Sequence, residues 1–239
     1  MTLDEQIEEL YLSYFRLKQD REALKQNPST DNYEFRKQIP DANGQPMLTQ
    51  PAGVVDAQLE DYVGRMTQNM NSRVTPEVYE SIRSELYEPL DEAGKRQAYL
   101  EIAKSGILPA NPSEKLKAIL KILDAADGLK QLLAKKEYGQ AIALMNSMIQ
   151  NNLMKKESAL AYQYNLLGQG DNVKALGEQF RQIQYNIAVN GLDNEVRAEI
   201  DQAIADKNAY GVAGAEMYKI HRAYQEQQQA LAQQQANQE

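Results

Sequence analysis

Cysteine and tryptophan are absent from the sequence, and His221 is its only histidine. Without thiols there is no disulfide framework, thiolate zinc site, iron–sulfur cluster or cysteine nucleophile. One imidazole excludes a two-histidine metal site within a single chain. No apolar run approaches the ~20 residues that span a bilayer. The start, Met1-Thr2-Leu3-Asp4-Glu5, is acidic where a signal peptide would be basic. The expected location is therefore the cytoplasm or a particle assembled there, such as a virion. Phenylalanine is scarce at three residues, whereas tyrosine reaches fourteen. Tyrosine joins apolar area to a hydroxyl, which suits contact surfaces.

What is present is helical and polar. The 239 residues carry 34 acidic and 26 basic side chains, for a net charge of −8. That balance argues against a duplex-binding surface, which needs clustered Lys and Arg. The length suits one large domain or two small ones, and no segment alternates like a strand. Glutamine and asparagine are abundant, at 26 and 16.

Residues 1–26 form an amphipathic helix opened by the Thr2/Glu5 capping box. Leu3, Ile7, Leu10, Tyr14, Leu17 and Leu24 recur at steps of three and four, a heptad seam. The seam either docks on the chain's own core or pairs with another subunit. Tyr11 and Phe15 widen it, favouring the first. Residues 27–55 hold Pro28, Pro40, Pro46 and Pro51 with Gly44 and Gly53, so no long helix is expected. They read as an extended arm or linker with Tyr33 and Phe35 as anchors. Residues 56–224 form a core of helical hairpins. Thr75-Pro76 starts one helix, Pro89 ends it, Gly106 to Pro112 is a break, and Ser113 caps the next helix. A last helix is expected from about Asp193, weakened at Gly211 and Gly214. Residues 225–239 are a Gln-rich tail with no core of its own.

A shift of 34 residues aligns Lys121, Ala125, Leu132, Leu133, Ala141, Ile149, Gln150 and Asn152 with identical residues at 155, 159, 166, 167, 175, 183, 184 and 186. Chance would give roughly two or three matches, and periods of this length mark stacked units. Each copy has a polar turn, Lys135-Lys136-Glu137 or Gln169-Gly170-Asp171, followed by a small residue, Ala141 or Ala175. Residues 121–188 therefore resemble tetratricopeptide-like helical repeats, with Tyr138 and Ala141 at that family's aromatic and small positions. The resemblance implies stacked helix–turn–helix units with a peptide-binding concave face. Apart from the family, the same residues read as an array of antiparallel helical hairpins.

Chemistry-bearing patterns are sparse. Glu77, Glu80, Glu85, Glu88, Asp91 and Glu92 are the densest carboxylates and could serve acid–base work or hard cations. Their places on outward faces and at helix ends read as a solvated acidic surface. Gly168-Gln169-Gly170 lacks the preceding strand of a phosphate loop. Asp124, Asp127 and Gly128 lack the final glutamate of a calcium loop. The lysines at 115, 117, 121, 130, 135 and 136 make residues 113–136 locally basic.

The sequence thus predicts an all-α fold of antiparallel helical hairpins, with no catalytic residues, cofactor or metal. The expected function is a non-enzymatic structural subunit of a larger assembly, such as a bacteriophage virion or internal ejection protein. Its partners would be other protein subunits in a homo- or hetero-oligomer. The contact residues would be Leu3, Ile7, Leu10, Tyr14, Leu17, Leu24, Tyr33, Phe35, Tyr138, Ala141 and Ala175. The alternatives are a helical-repeat peptide-binding adaptor, a carboxylate-dependent enzyme and a weak nucleic-acid binder through residues 113–136.

Overall fold

The capping signals set the helix starts in a computed structural model that describes residues 2–26, 52–156 and 173–236. Thr2 and Glu5 close their capping box, with the Thr2 N–H donating to Glu5 Oε2 at 2.8 Å and the Glu5 N–H to Thr2 Oγ1 at 3.3 Å. The amides of Val78, Gly94, Leu116 and Val196 donate to the side chains of Thr75, Asp91, Ser113 and Asp193. Each bond satisfies a donor that the first turn leaves without an intrahelical partner. The fold is all-α, and no strand occurs among the described residues.

The elements are α1 (Leu3–Gln26), α2 (Ala52–Arg73), α3 (Pro76–Ile82), a π-helical turn (Arg83–Tyr87), α4 (Glu92–Lys104) and α5 (Glu114–Ala134). They continue with α6 (Tyr138–Gln150), α7 (Val173–Asn190), α8 (Asn194–Asp206) and α9 (Tyr210–Ala236). Most of the arm expected at 27–55, with Tyr33 and Phe35, lies outside the described residues. So do residues 157–172, with Gly168-Gln169-Gly170 and the second copy's first helix.

The single helix expected from about Asp193 is two, Asn194–Asp206 and Tyr210–Ala236. Asn208 takes φ 48° between α8 and α9, a left-handed conformation that asparagine tolerates. Gly211 and Gly214 lie within α9 without interrupting it, and both are buried where it meets α2 and α3.

The chain forms two units, residues 1–90 with 204–239, and residues 91–203. In the first, α9 is the central element. Residues 211–217 are buried throughout, and α1, α2, α3 and the π turn pack against it. Ile7 and Leu10 of α1 are 2% and 8% exposed, so this part of the heptad seam is spent inside the unit. The π turn carries an i→i+5 bond from the Glu88 N–H to the Arg83 carbonyl. Beside it, His221 Nδ1 lies 2.9 Å from the Leu86 carbonyl. A carbonyl only accepts, so Nδ1 carries the proton and donates. His221 thus serves the architecture of the turn.

In the second unit, α5 packs on both α6 and α7, and Lys136 takes φ 60° between α5 and α6. Leu129, Leu133, Ala141, Met145, Met148 and Phe180 share one buried cluster. The two 34-residue copies are not packed alike. Ile149 packs against that cluster and Gln150 is exposed, whereas Ile183 is 56% exposed and Gln184 is buried. Identical residues in register thus face opposite environments.

Candidate functional site

The sequence-predicted contact residues fall in several places. Ile7, Leu10 and Ala141 are buried within their own units. Tyr14 is half-buried on α1, and Tyr138 is 37% exposed at the start of α6. Leu3, Leu17 and Leu24 lie on α1 and Ala175 on α7. The structure brings Ile7 and Leu10 together with α2 and α3, and Ala141 with Phe180. It does not gather all of these residues into one surface.

The predicted carboxylate group is dispersed into helix starts and ion pairs. Asp91 caps α4. Glu92 accepts from Arg96 at 3.0 Å and from Arg197 at 2.8 Å. The Arg96 hydrogen bond is the main reason its carboxyl lies below the usual range. Glu77 is held low chiefly by its own backbone amide, then by Thr75. Among the described residues, no three His, Asp or Glu side chains are grouped to hold a metal ion.

The basic stretch is partly neutralised. Lys115 Nζ lies 2.7 Å from Glu195 and 3.1 Å from Asp193, and those hydrogen bonds raise its pKa, with Glu195 contributing most. Lys117 pairs with Glu114 at 2.9 Å and Lys130 with Glu178 at 2.7 Å. Asp127, weighed as part of a calcium loop, accepts from Arg181 Nε at 2.8 Å. Half of the six lysines are therefore engaged by local carboxylates, leaving little concentrated charge for phosphates.

Two hydroxyl–carboxylate bonds tie the second unit. The Tyr99 hydroxyl donates to Asp201 Oδ1 at 2.5 Å. The Tyr185 hydroxyl donates to Glu101, while Lys104 Nζ sits 5.4 Å from the Tyr185 ring centre. Burial, followed by the Glu101 charge, pushes the Tyr185 hydroxyl well above its ordinary value of 10.0. An unfolded chain ionises this tyrosine first, so its stabilising effect is complete below about pH 10 and is lost as pH rises. Tyr185→Phe is expected to cost about 1 kcal/mol at neutral pH. It should also flatten the fall in stability between about pH 10 and 11, read by urea unfolding. An unchanged alkaline slope would refute this role.

Several surfaces remain as candidate interfaces. A cavity of about 340 Å³ opens between α1 and the α2–α3 corner. Ile7, Leu10, Val74, Val78 and Ile82 line it, with Gln6, Glu9 and Arg73. On α1, Leu12 is 52% exposed and Phe15 38%. Ile183 and Ile187 form an exposed pair on α7. Finally, α9 runs beyond its buried turns, and every residue from Gln225 to Ala236 is exposed, including Leu231. No helix among the described residues is long and apolar enough to cross a membrane.

Two polar side chains are buried with no mark in the sequence pattern, Gln184 and Glu216. Each sits one or two residues from an apolar partner in its helical pattern, and only packing reveals its burial. Gln184 Oε1 has no hydrogen-bond partner, and Glu216 Oε2 lies 4.0 Å from Lys219 Nζ.

No family model, curated protein or solved structure matches this chain.

Proposed function

We propose that this chain is a non-enzymatic structural subunit of a larger protein assembly, of the kind found in a bacteriophage virion or among internal ejection proteins. The observation that carries the reading is the helical overhang of α9. Its last turns are helical yet wholly exposed, and their side chains are mostly glutamine. Helices this short are marginal in water without tertiary packing. Here the helix is rooted in a core and offers a long amide-rich face, suited to docking against another subunit. The exposed Leu12, Phe15, Ile183 and Ile187 add apolar contact area outside the two cores. The peptide-adaptor alternative gains less support, because α5, α6 and α7 pack their apolar side chains on one another around Leu129, Leu133, Met145 and Phe180.

The test is the native size of the particle that contains the chain. In extracts of its own source, the full chain is expected to sediment far faster than a 27.0 kDa species. A chain truncated after Tyr224 should lose that association while retaining cooperative unfolding of its core. A full chain that sediments as a free 27.0 kDa species throughout would overturn the proposal.

A further inference from the structure

The cavity between α1 and the α2–α3 corner stays open because each of its walls is fastened elsewhere. Ile7 and Leu10 of α1 form one wall; Val74, Val78 and Ile82 form the other. The second wall is pinned to α9 at two points. Asn71 Oδ1 accepts from the Gly211 and Val212 N–H groups at 3.1 and 3.2 Å, and the Ile82 side chain lies against Gly214. The first wall is pinned to the same helix further along. There Tyr11 packs on Tyr218 with ring centres 5.7 Å apart, and Glu8 lies 3.8 Å from Arg222. Two walls held by a third element cannot close on the space between them, so the site is formed before any ligand arrives. Its floor is apolar: Ile7, Val74 and Ile82 are 2%, 3% and 1% exposed.

The mouth is polar and carries one charge of each sign. Gln6, Glu9 and Arg73 line the cavity and are exposed. Among the glutamates of α1's first turns, Glu5 is engaged by Thr2 and Glu8 by Arg222. Glu9 and Arg73 form no ion pair among the described residues. Glu9 stands beside Leu10 and Arg73 beside Val74, so the two charges belong to opposite walls.

We propose that this cavity binds a free apolar α-amino acid of leucine size. Its side chain enters between the two aliphatic walls, its ammonium group meets Glu9 and its carboxylate meets Arg73. An engineered apolar cavity of about 150 Å³ takes up benzene. The space here, about 340 Å³, therefore has room for a branched side chain together with its two charged groups. A fatty acid would set an anion against Glu9, and an alkylamine would set a cation against Arg73. A ligand with both charges next to an apolar body satisfies floor and mouth together. Burial of the side chain supplies affinity, and the charge pair supplies selectivity. The site lies within the first unit and needs no second subunit, so it goes beyond the assembly reading.

Isothermal titration calorimetry of the purified full chain with L-leucine, L-leucinamide, N-acetyl-L-leucine and glycine tests this. Leucinamide keeps only the ammonium group, as the first residue of a peptide would. Acetylleucine keeps only the carboxylate, as a last residue would. L-Leucine is expected to bind with a Kd of about 0.1 mM or tighter. Each analogue should bind roughly tenfold more weakly, and glycine not at all. Arg73→Gln should weaken L-leucine by roughly tenfold and leave L-leucinamide unchanged. Glu9→Gln should weaken L-leucine equally and leave N-acetyl-L-leucine unchanged. Both side chains are exposed, so neither change should move the thermal midpoint. Val78→Phe should fill the cavity and abolish binding; should it fail to fold, the two charge variants still decide. The proposal is overturned by no binding of L-leucine up to about 10 mM, by an analogue that binds as tightly as L-leucine, or by L-leucine binding indifferent to Arg73→Gln. The sedimentation of the native complex is independent of all these outcomes, so the assembly reading stands or falls separately.

Discussion

Gly211→Ala is expected to destabilise the unit formed by residues 1–90 and 204–239 by about 3 kcal/mol or more. A Cβ at this position would lie 2.6 Å from the Met70 carbonyl oxygen, 2.7 Å from its carbon and 3.0 Å from the Asn71 nitrogen. These are backbone atoms of α2, so no side-chain rotation relieves the clash; the helices must separate. Separation breaks a second feature. Asn71 Oδ1 accepts from the N–H groups of Gly211 and Val212 at 3.1 and 3.2 Å, satisfying donors in the first turn of α9. Helix propensity alone would favour alanine by about 1 kcal/mol, so a loss is diagnostic of the close approach.

Gly214→Ala is the internal comparison. There the added Cβ meets Ile82 Cδ1 at 3.1 Å, the far end of a flexible side chain that can give way. Its cost should be about 1 kcal/mol or less. The measurement is urea unfolding followed through tyrosine near-ultraviolet circular dichroism, because the chain has no tryptophan. Equal effects of the two substitutions would refute the backbone argument.

The second large effect is expected at Phe180. Truncation to alanine should cost the unit of residues 91–203 about 3–5 kcal/mol, from lost transfer energy and the cavity left behind. Phe180 is 2% exposed and joins α7 to the cluster that α5 and α6 form. Ile183, one turn along the same helix, is 56% exposed, and Ile183→Ala should fall within about 0.5 kcal/mol of the parent. Ile149→Ala should cost more, since Ile149 packs against the cluster. Equal costs at Ile149 and Ile183 would mean that the two copies are packed alike after all.

The helix starts were legible because capping is local. Thr2/Glu5, Thr75-Pro76 and Ser113 each need only residues within one turn of themselves. The all-α class followed from helical periodicity and the lack of alternation. The break at Asn208 was less legible, because a left-handed asparagine leaves no stronger mark than an ordinary polar residue. The packing role of the glycines of α9 was hidden for a related reason. Propensity penalises glycine in a helix, but the close approach of α2 to Gly211 is a long-range fact, as is the fit of Ile82 against Gly214. The 34-residue similarity was real as a pattern of letters. Which way a helix turns its residues depends on what packs against it, so Gln150 and Gln184 could match and still differ in burial. Of the expected contact residues, Ile7 and Leu10 are covered inside their own unit, because which apolar residues of an amphipathic helix are buried depends on what packs against it.

The first unit is assembled from the two ends of the sequence, and this sets an order of events at the ribosome. When α1, α2 and α3 have been made, their principal neighbour α9 does not yet exist. Synthesis at ~5–20 residues per second leaves on the order of ten seconds before residues 211–217 emerge. During that interval the inward side of α1 has no α9 to cover it, while residues 91–203 are completed and can fold as a unit. Tyr11 of α1 therefore waits throughout that interval for Tyr218, and a chaperone that recognises apolar helices would find its opportunity there.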